Sequence, residues 1–128
     1  WGDGDTKPGE ALWERIAEVG VSGLLIAEED GGLGATPVEL VCAFEVLGRH
    51  AVPGPWIESA AYLATALQGP ERTAIADGAI ATVALSPHTP YAVDADIASE
   101  GYIVSEGYIV SESLADPGAA SDASYLGE

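Results

Sequence analysis

The apolar run Gly23-Leu24-Leu25-Ile26-Ala27 ends at three consecutive acids, Glu28-Glu29-Asp30, and a glycine-rich turn, Gly31-Gly32-Leu33-Gly34. A helix start follows at once, Thr36-Pro37-Val38-Glu39. A packed segment must therefore emerge, turn sharply and re-enter a helix within a few residues. Thr36 is placed to be the N-cap, Pro37 to sit at the first helical position, and Glu39 to complete a capping box. Over residues 36–47, Val38, Leu40, Val41, Cys42, Ala43, Phe44, Val46 and Leu47 leave almost no polar face. A helix apolar all round is expected to be buried on several sides, which calls for further protein packed against it. Cys42 then reads as a small core residue.

The rest of the chain divides into short elements. Residues 1–9 are polar and read as a loop. Asp3, Asp5 and Glu14 match positions of a calcium loop, but Lys7 stands where a ligand is needed and Pro8 where glycine is needed. Residues 10–19 read as an amphipathic helix with Leu12, Trp13, Ile16, Ala17 and Val19 on one side, stopped by Gly20. Residues 49–55 form a turn, in which His50 has no second His or Cys at ligand spacing. Pro55 opens a second buried-looking helix over residues 56–68, with Ile57, Ala60, Ala61, Leu63, Ala64 and Leu67 apolar. Gly69-Pro70 breaks it, residues 71–76 form a short helix, and Asp77-Gly78 a turn. Residues 79–86 are β-like. The tail then repeats itself: Ser99-Glu100-Gly101-Tyr102-Ile103-Val104 recurs as Ser105-Glu106-Gly107-Tyr108-Ile109-Val110. Two copies are too few for a solenoid, but they suit a hairpin about residues 105–107.

A length of 128 residues fits one domain, and 48% hydrophobic residues suffice for a core. Four basic residues face 21 acidic ones, a formal net charge of -17. Phosphate binding needs clustered Lys and Arg, so nucleic acid is excluded as a partner, and an anionic membrane surface equally. The longest uncharged stretch, residues 78–93, contains Pro87 and Pro90 and is no membrane span. Cys42 is the lone cysteine, which rules out an internal disulfide. With no basic n-region at the start, a cytoplasmic setting is expected. The start at Trp1 and the end at Glu128 suggest a piece of a longer protein, or a chain with residues missing.

Four pieces, in order, carry a resemblance to acyl-CoA dehydrogenases over about residues 12–96. The helix through Leu12-Trp13 to Gly20, with Val21-Ser22-Gly23-Leu24-Leu25-Ile26 after it, resembles the family's helix and the segment behind it. Glu28-Glu29-Asp30-Gly31-Gly32-Leu33-Gly34 is similar to its acidic, glycine-rich turn, where a bulkier aromatic is more usual at Asp30. Glu45-Val46-Leu47-Gly48-Arg49 resembles the Glu-x-Leu-Gly-Arg end of its central helix. Glu71-Arg72 through Gly78, then Ile80-Ala81-Thr82-Val83-Ala84-Leu85, resembles the hand-over into its β domain.

The resemblance implies a mainly α N-terminal domain over residues 1–78 and the start of the middle β domain over residues 79–98. Residues 99–128 stay unassigned, as strands or as pieces not contiguous in the parent protein. It implies FAD as cofactor, an acyl-CoA substrate, α,β-dehydrogenation of its thioester, and a homo- or hetero-oligomer. A Glu takes the α-proton and hydride leaves the β-carbon for the flavin, in a site kept dry. The family's catalytic Glu lies in the C-terminal domain, which nothing after Asp96 matches. No catalytic residue is therefore assigned, Glu45 and Glu58 included, and no metal ligand. The family's flavin-contacting segment reads Thr-Glu-Pro and then Gly-Ser-Asp. Here Leu85-Ser86-Pro87-His88-Thr89-Pro90-Tyr91 keeps only the proline. Flavin contact is expected through Ala84, Leu85 and Ser86, and a substrate pocket through Ile57, Ala60 and Ala61. Two other readings stand beside the FAD-dependent enzyme. One is a non-catalytic partner subunit of a heteromeric, sterol side-chain type acyl-CoA dehydrogenase. The other is an acidic helical interaction module.

Overall fold

The computed structural model describes residues 4–105 and 108–112. Four α-helices, a π-helix and two short 3-10 turns lead into a three-stranded sheet. The fold is a helical N-terminal domain followed by a small sheet.

Helix α1 (Lys7–Glu18) starts earlier than its sequence pattern suggests. Lys7-Pro8-Gly9 forms the first turn rather than a loop, because a proline there loses no hydrogen bond that the helix would make. Val19 is its C-cap, and Gly20 follows in the left-handed region at φ 97°. Of the apolar side, Trp13 alone in the helix is buried; Leu12 and Val19 face outward.

Helix α2 (Pro37–Arg49) has the expected capping-box start. The Glu39 carboxylate accepts the Thr36 N–H at 2.8 Å and also the Thr36 hydroxyl. Its burial departs from expectation. Leu40 is buried and Ala43, Phe44 and Leu47 are partly buried, a stripe at helical spacing. Val38, Val41, Cys42 and Val46 lie on the opposite side and are exposed. Cys42 is thus not a core residue among the described residues, because the neighbouring elements cover only one side of the helix.

The corner between these helices is a backbone device. The N–H groups of Leu33, Gly34 and Ala35 donate to the carbonyls of Gly23, Ile26 and Leu24 at 2.8–3.0 Å. The chain thus folds straight back on itself and satisfies its own polar groups. Gly32 lies against residue 26, where a Cβ would collide with the Ile26 carbonyl. Arg72 holds the corner from outside, pairing with Asp30 at 3.5 Å.

The second long helix is not regular. It is a π-helix over Ile57–Leu63 that runs into α3 (Ala64–Ala66). Gly69-Pro70 does not merely break the chain: both residues belong to the first turn of α4 (Gly69–Ala76). Strand β1 (Ala81–Leu85) pairs in parallel with β2 (Glu100–Ser105), and β2 pairs antiparallel with β3 (Tyr108–Glu112). The two repeat copies thus supply the paired strands; residues 106–107 and 113–128 lie outside the described residues.

The core has two parts. Ile26, Leu63, Leu67, Ile75, Val83 and Tyr102 join the corner, the helices and the sheet. Trp13, Trp56 and Ala60 form the other. The two indoles stack at 3.7 Å between centroids and 20° between planes. Each indole N–H is satisfied, Trp13 by the Gly78 carbonyl at 2.9 Å and Trp56 by the Pro53 carbonyl at 3.1 Å. Buried indoles need such partners. Gly54, at φ 112°, lets the backbone pass the Trp13 ring, since a Cβ would come within 2.8 Å of Cε3.

Candidate functional site

A cavity of about 530 Å3 opens where the π-helix faces the C-terminal end of β1. Three segments build it. The π-helix contributes Ile57, Glu58 and Tyr62. Strand β1 contributes Val83 and Leu85, two residues apart and therefore on one face. The segment after β1 contributes His88 and Tyr91 among its wall residues. That segment is held by a reciprocal pair of hydrogen bonds: Leu85 N–H to Thr89 O and Thr89 N–H to Leu85 O, both 2.7 Å. The tight turn fixes residues 86–88 at the strand end and swings the following residues over the cavity. Ile57 and Tyr91 form its exposed rim, at 66% and 84% exposure.

The cavity is mainly apolar, with a carboxylate (Glu58) and an imidazole (His88) on its wall. An apolar hollow with a few convergent polar groups is the usual form of a small-molecule site, and its volume falls within the usual range of about 300–1,000 Å3. Among the described residues, no group of three or more His, Cys, Asp or Glu side chains could hold a metal ion.

Two of the residues anticipated from sequence meet here, Ile57 from the substrate set and Leu85 from the cofactor set. Ala60 is fully buried and packs with Trp13 and Trp56 instead. Ala61, half-buried, is not on the cavity wall. Ala84 is buried on the sheet, and Ser86 is exposed just beyond the strand. Sequence reasoning missed Tyr62, His88 and Tyr91 as wall residues, and considered Glu58 only as a base. The four-residue spacing of Glu58 and Tyr62, next to Ile57, was the available signal. Nothing in the run Pro87-His88-Thr89-Pro90-Tyr91 announces which side chains turn inward.

The chain is a helical domain that hands over to a sheet, with a ligand-sized apolar cavity at the junction. The sequence model of the acyl-CoA dehydrogenase N-terminal domain matches residues 1–72, more than half of the chain. The chain belongs to the acyl-CoA dehydrogenase family through this domain. No curated protein and no solved structure matches it. The family is one of oxidoreductases that act on acyl-CoA, oligomerise and usually bind FAD. Among the described residues, no helix is long and apolar enough to cross a membrane.

A flavin held at residues 84–86 would need donors there. The Leu85 N–H is given to Thr89 and the Ser86 N–H to the Val104 carbonyl at 3.1 Å. Ala84 offers only a buried methyl group. The exposed Ser86 hydroxyl is what remains. These three residues do not fit a flavin by themselves.

Proposed function

We propose that this chain is part of an FAD-dependent acyl-CoA dehydrogenase and that the cavity at the π-helix receives the acyl group of an acyl-CoA thioester. The observation that carries this reading is the cavity itself. It is apolar, of ligand size, and walled by Ile57, Glu58 and Tyr62 of the family-matched region together with the first strand of the sheet. An acyl chain needs such a surface, because removing its methylenes from water contributes about 0.8 kcal/mol each. The base and most of the flavin's contacts belong, in this reading, to protein beyond the described residues. The apolar outer side of α2, with Val38, Val41 and Val46 exposed, suits packing against that further protein.

A second reading has a specific observation behind it. Because the Leu85 and Ser86 amides are both spent inside the fold, the chain also suits a subunit that shapes the acyl pocket while a partner carries the flavin. The visible absorbance of the purified full-length parent separates the two. A bound flavin, bleached anaerobically by an acyl-CoA, supports the enzyme. A colourless protein that gains flavin only with a co-expressed partner supports the second reading. A parent that binds neither flavin nor acyl-CoA overturns both.

The cavity assignment has its own test. Ile57→Trp should crowd the rim without entering the core, and weaken binding of long acyl-CoA by about ten-fold while sparing short ones. Equal loss for all chain lengths would assign Ile57 to packing.

A further inference from the structure

The wall of the acyl cavity is not of one kind. Tyr62, Val83 and Leu85 also pack against the main core cluster, so they form its inner side. Ile57, Pro90, Tyr91 and Val93 form an exposed apolar side. Two wall residues break the apolar surface with charge-bearing groups. Glu58 stands half-buried on the π-helix, and His88 is exposed on the segment after β1. They reach one hollow from two different elements.

Neither group is spent inside the fold. The ion pairs among the described residues use Glu45 and Asp30, and no hydrogen bond there engages the Glu58 carboxylate or the His88 imidazole. Water serves both while the cavity is open. A plain alkyl chain filling the cavity would displace that water and return no hydrogen bond, which costs binding. The ligand that suits the whole wall is therefore apolar with one polar group.

The two side chains define that group. The carboxylate only accepts, and the imidazole carries at least one N–H in either protonation state. An ammonium group has no acceptor for the imidazole N–H, and a ketone or carboxylate has no donor for Glu58. A hydroxyl meets both from one atom. The hydroxyls of Tyr62, Thr89 and Tyr91 donate or accept alike, so they do not alter this choice. We propose that the cavity selects acyl groups that carry a hydroxyl remote from the thioester, with Glu58 accepting its proton and His88 donating to its oxygen. The proposal rests on the acyl-binding reading above and narrows its substrate class.

The test is isothermal titration calorimetry of the purified full-length parent with octanoyl-CoA and its ω-hydroxy, (ω−1)-hydroxy and (ω−1)-oxo derivatives. All four carry the same coenzyme A charge, so repulsion from the acidic chain cancels in their ratios. A hydroxy derivative should bind about ten-fold tighter than octanoyl-CoA, the usual gain from a hydrogen bond to a charged group. The oxo derivative should show no such gain. In Glu58→Leu and in His88→Phe the preference for the hydroxyl should fall towards one. Octanoyl-CoA binding as tightly as both hydroxy derivatives, an equal gain for the oxo derivative, or a preference that survives both substitutions would overturn the proposal and leave the acyl-binding reading standing. Failure of all four ligands to bind would overturn that reading as well.

Discussion

Two hydroxyls on and beside β1 have opposite fates. The Ser59 hydroxyl donates to the Ala81 carbonyl at 2.5 Å and accepts the Ala81 N–H at 3.1 Å, so one side chain ties the π-helix to the first strand. Both residues are buried. Ser59→Ala leaves a buried N–H and a buried C=O unpaired, and should destabilise the fold by about 1–3 kcal/mol in denaturant unfolding. Thr82, one residue along, is fully buried, and its Oγ1 has no partner among the described residues. Thr82→Val keeps the shape and removes the orphaned hydroxyl. It should leave stability unchanged or raise it by about 1 kcal/mol. A clear loss of stability in Thr82→Val would mean that the hydroxyl has a partner after all. The contrast is local: Ala81 presents its backbone edge to a helix that carries a serine, while Thr82 faces side chains with nothing to offer it.

At the scale of elements, what the sequence announces is what the backbone decides locally. The start of α2 is the clearest case. Thr36, Pro37 and Glu39 define it through their own hydrogen bonds and one fixed φ, and no distant contact is needed. The Glu39 carboxyl is held below its ordinary value of 4.5, chiefly by the Thr36 hydroxyl and then by backbone N–H groups. A carboxyl with a lowered folded-state value stabilises the fold above 4.5, and that contribution is lost as pH falls through the folded-state value. Glu39→Gln should therefore be less stable than the parent at neutral pH, with the difference shrinking below that point. A difference independent of pH would place the effect in packing. Other elements were hidden because tertiary geometry settles them. The outer valines of α2 look buried in sequence, since hydrophobicity cannot say which side finds a neighbour. The repeat is subtler. Tyr102 pairs across the hairpin with Ser111 and Tyr108 with Ser105. Paired residues differ by odd numbers, whereas the copies are offset by an even one. The two tyrosines therefore fall on opposite faces. Tyr102 is buried and Tyr108 is 47% exposed. The cavity was half legible for the same reason. Ile57 and Leu85 could be placed by their elements, but His88 and Tyr91 depend on the turn closed between Leu85 and Thr89.

Over the whole molecule, charge works against compactness. With 21 acids and four bases, the chain carries a net charge of -17. Attractive pairs do little to offset this. Arg49–Glu45 is a solvent-exposed helix pair, and such pairs contribute about 0.3–0.5 kcal/mol. Arg72–Asp30 is better sheltered and also has its Nε on the Leu67 carbonyl at 2.6 Å, so it braces the corner against α4. Repulsion between the remaining carboxylates acts over distances comparable to the Debye length, which shrinks to about 8 Å at 0.15 M ionic strength. Added NaCl should therefore raise the melting temperature, most steeply below about 0.15 M. Salt also favours association through the exposed Val38, Val41 and Val46 of α2, which would raise the melting temperature by a different route. The two routes differ in their dependence on protein concentration. Screening of internal repulsion shifts the melting temperature equally at all concentrations, whereas association shifts it more as the chain is concentrated. A melting temperature that falls on adding NaCl would mean that the few attractive pairs outweigh the many repulsive ones, and that the acids are spaced too widely over the surface to oppose folding.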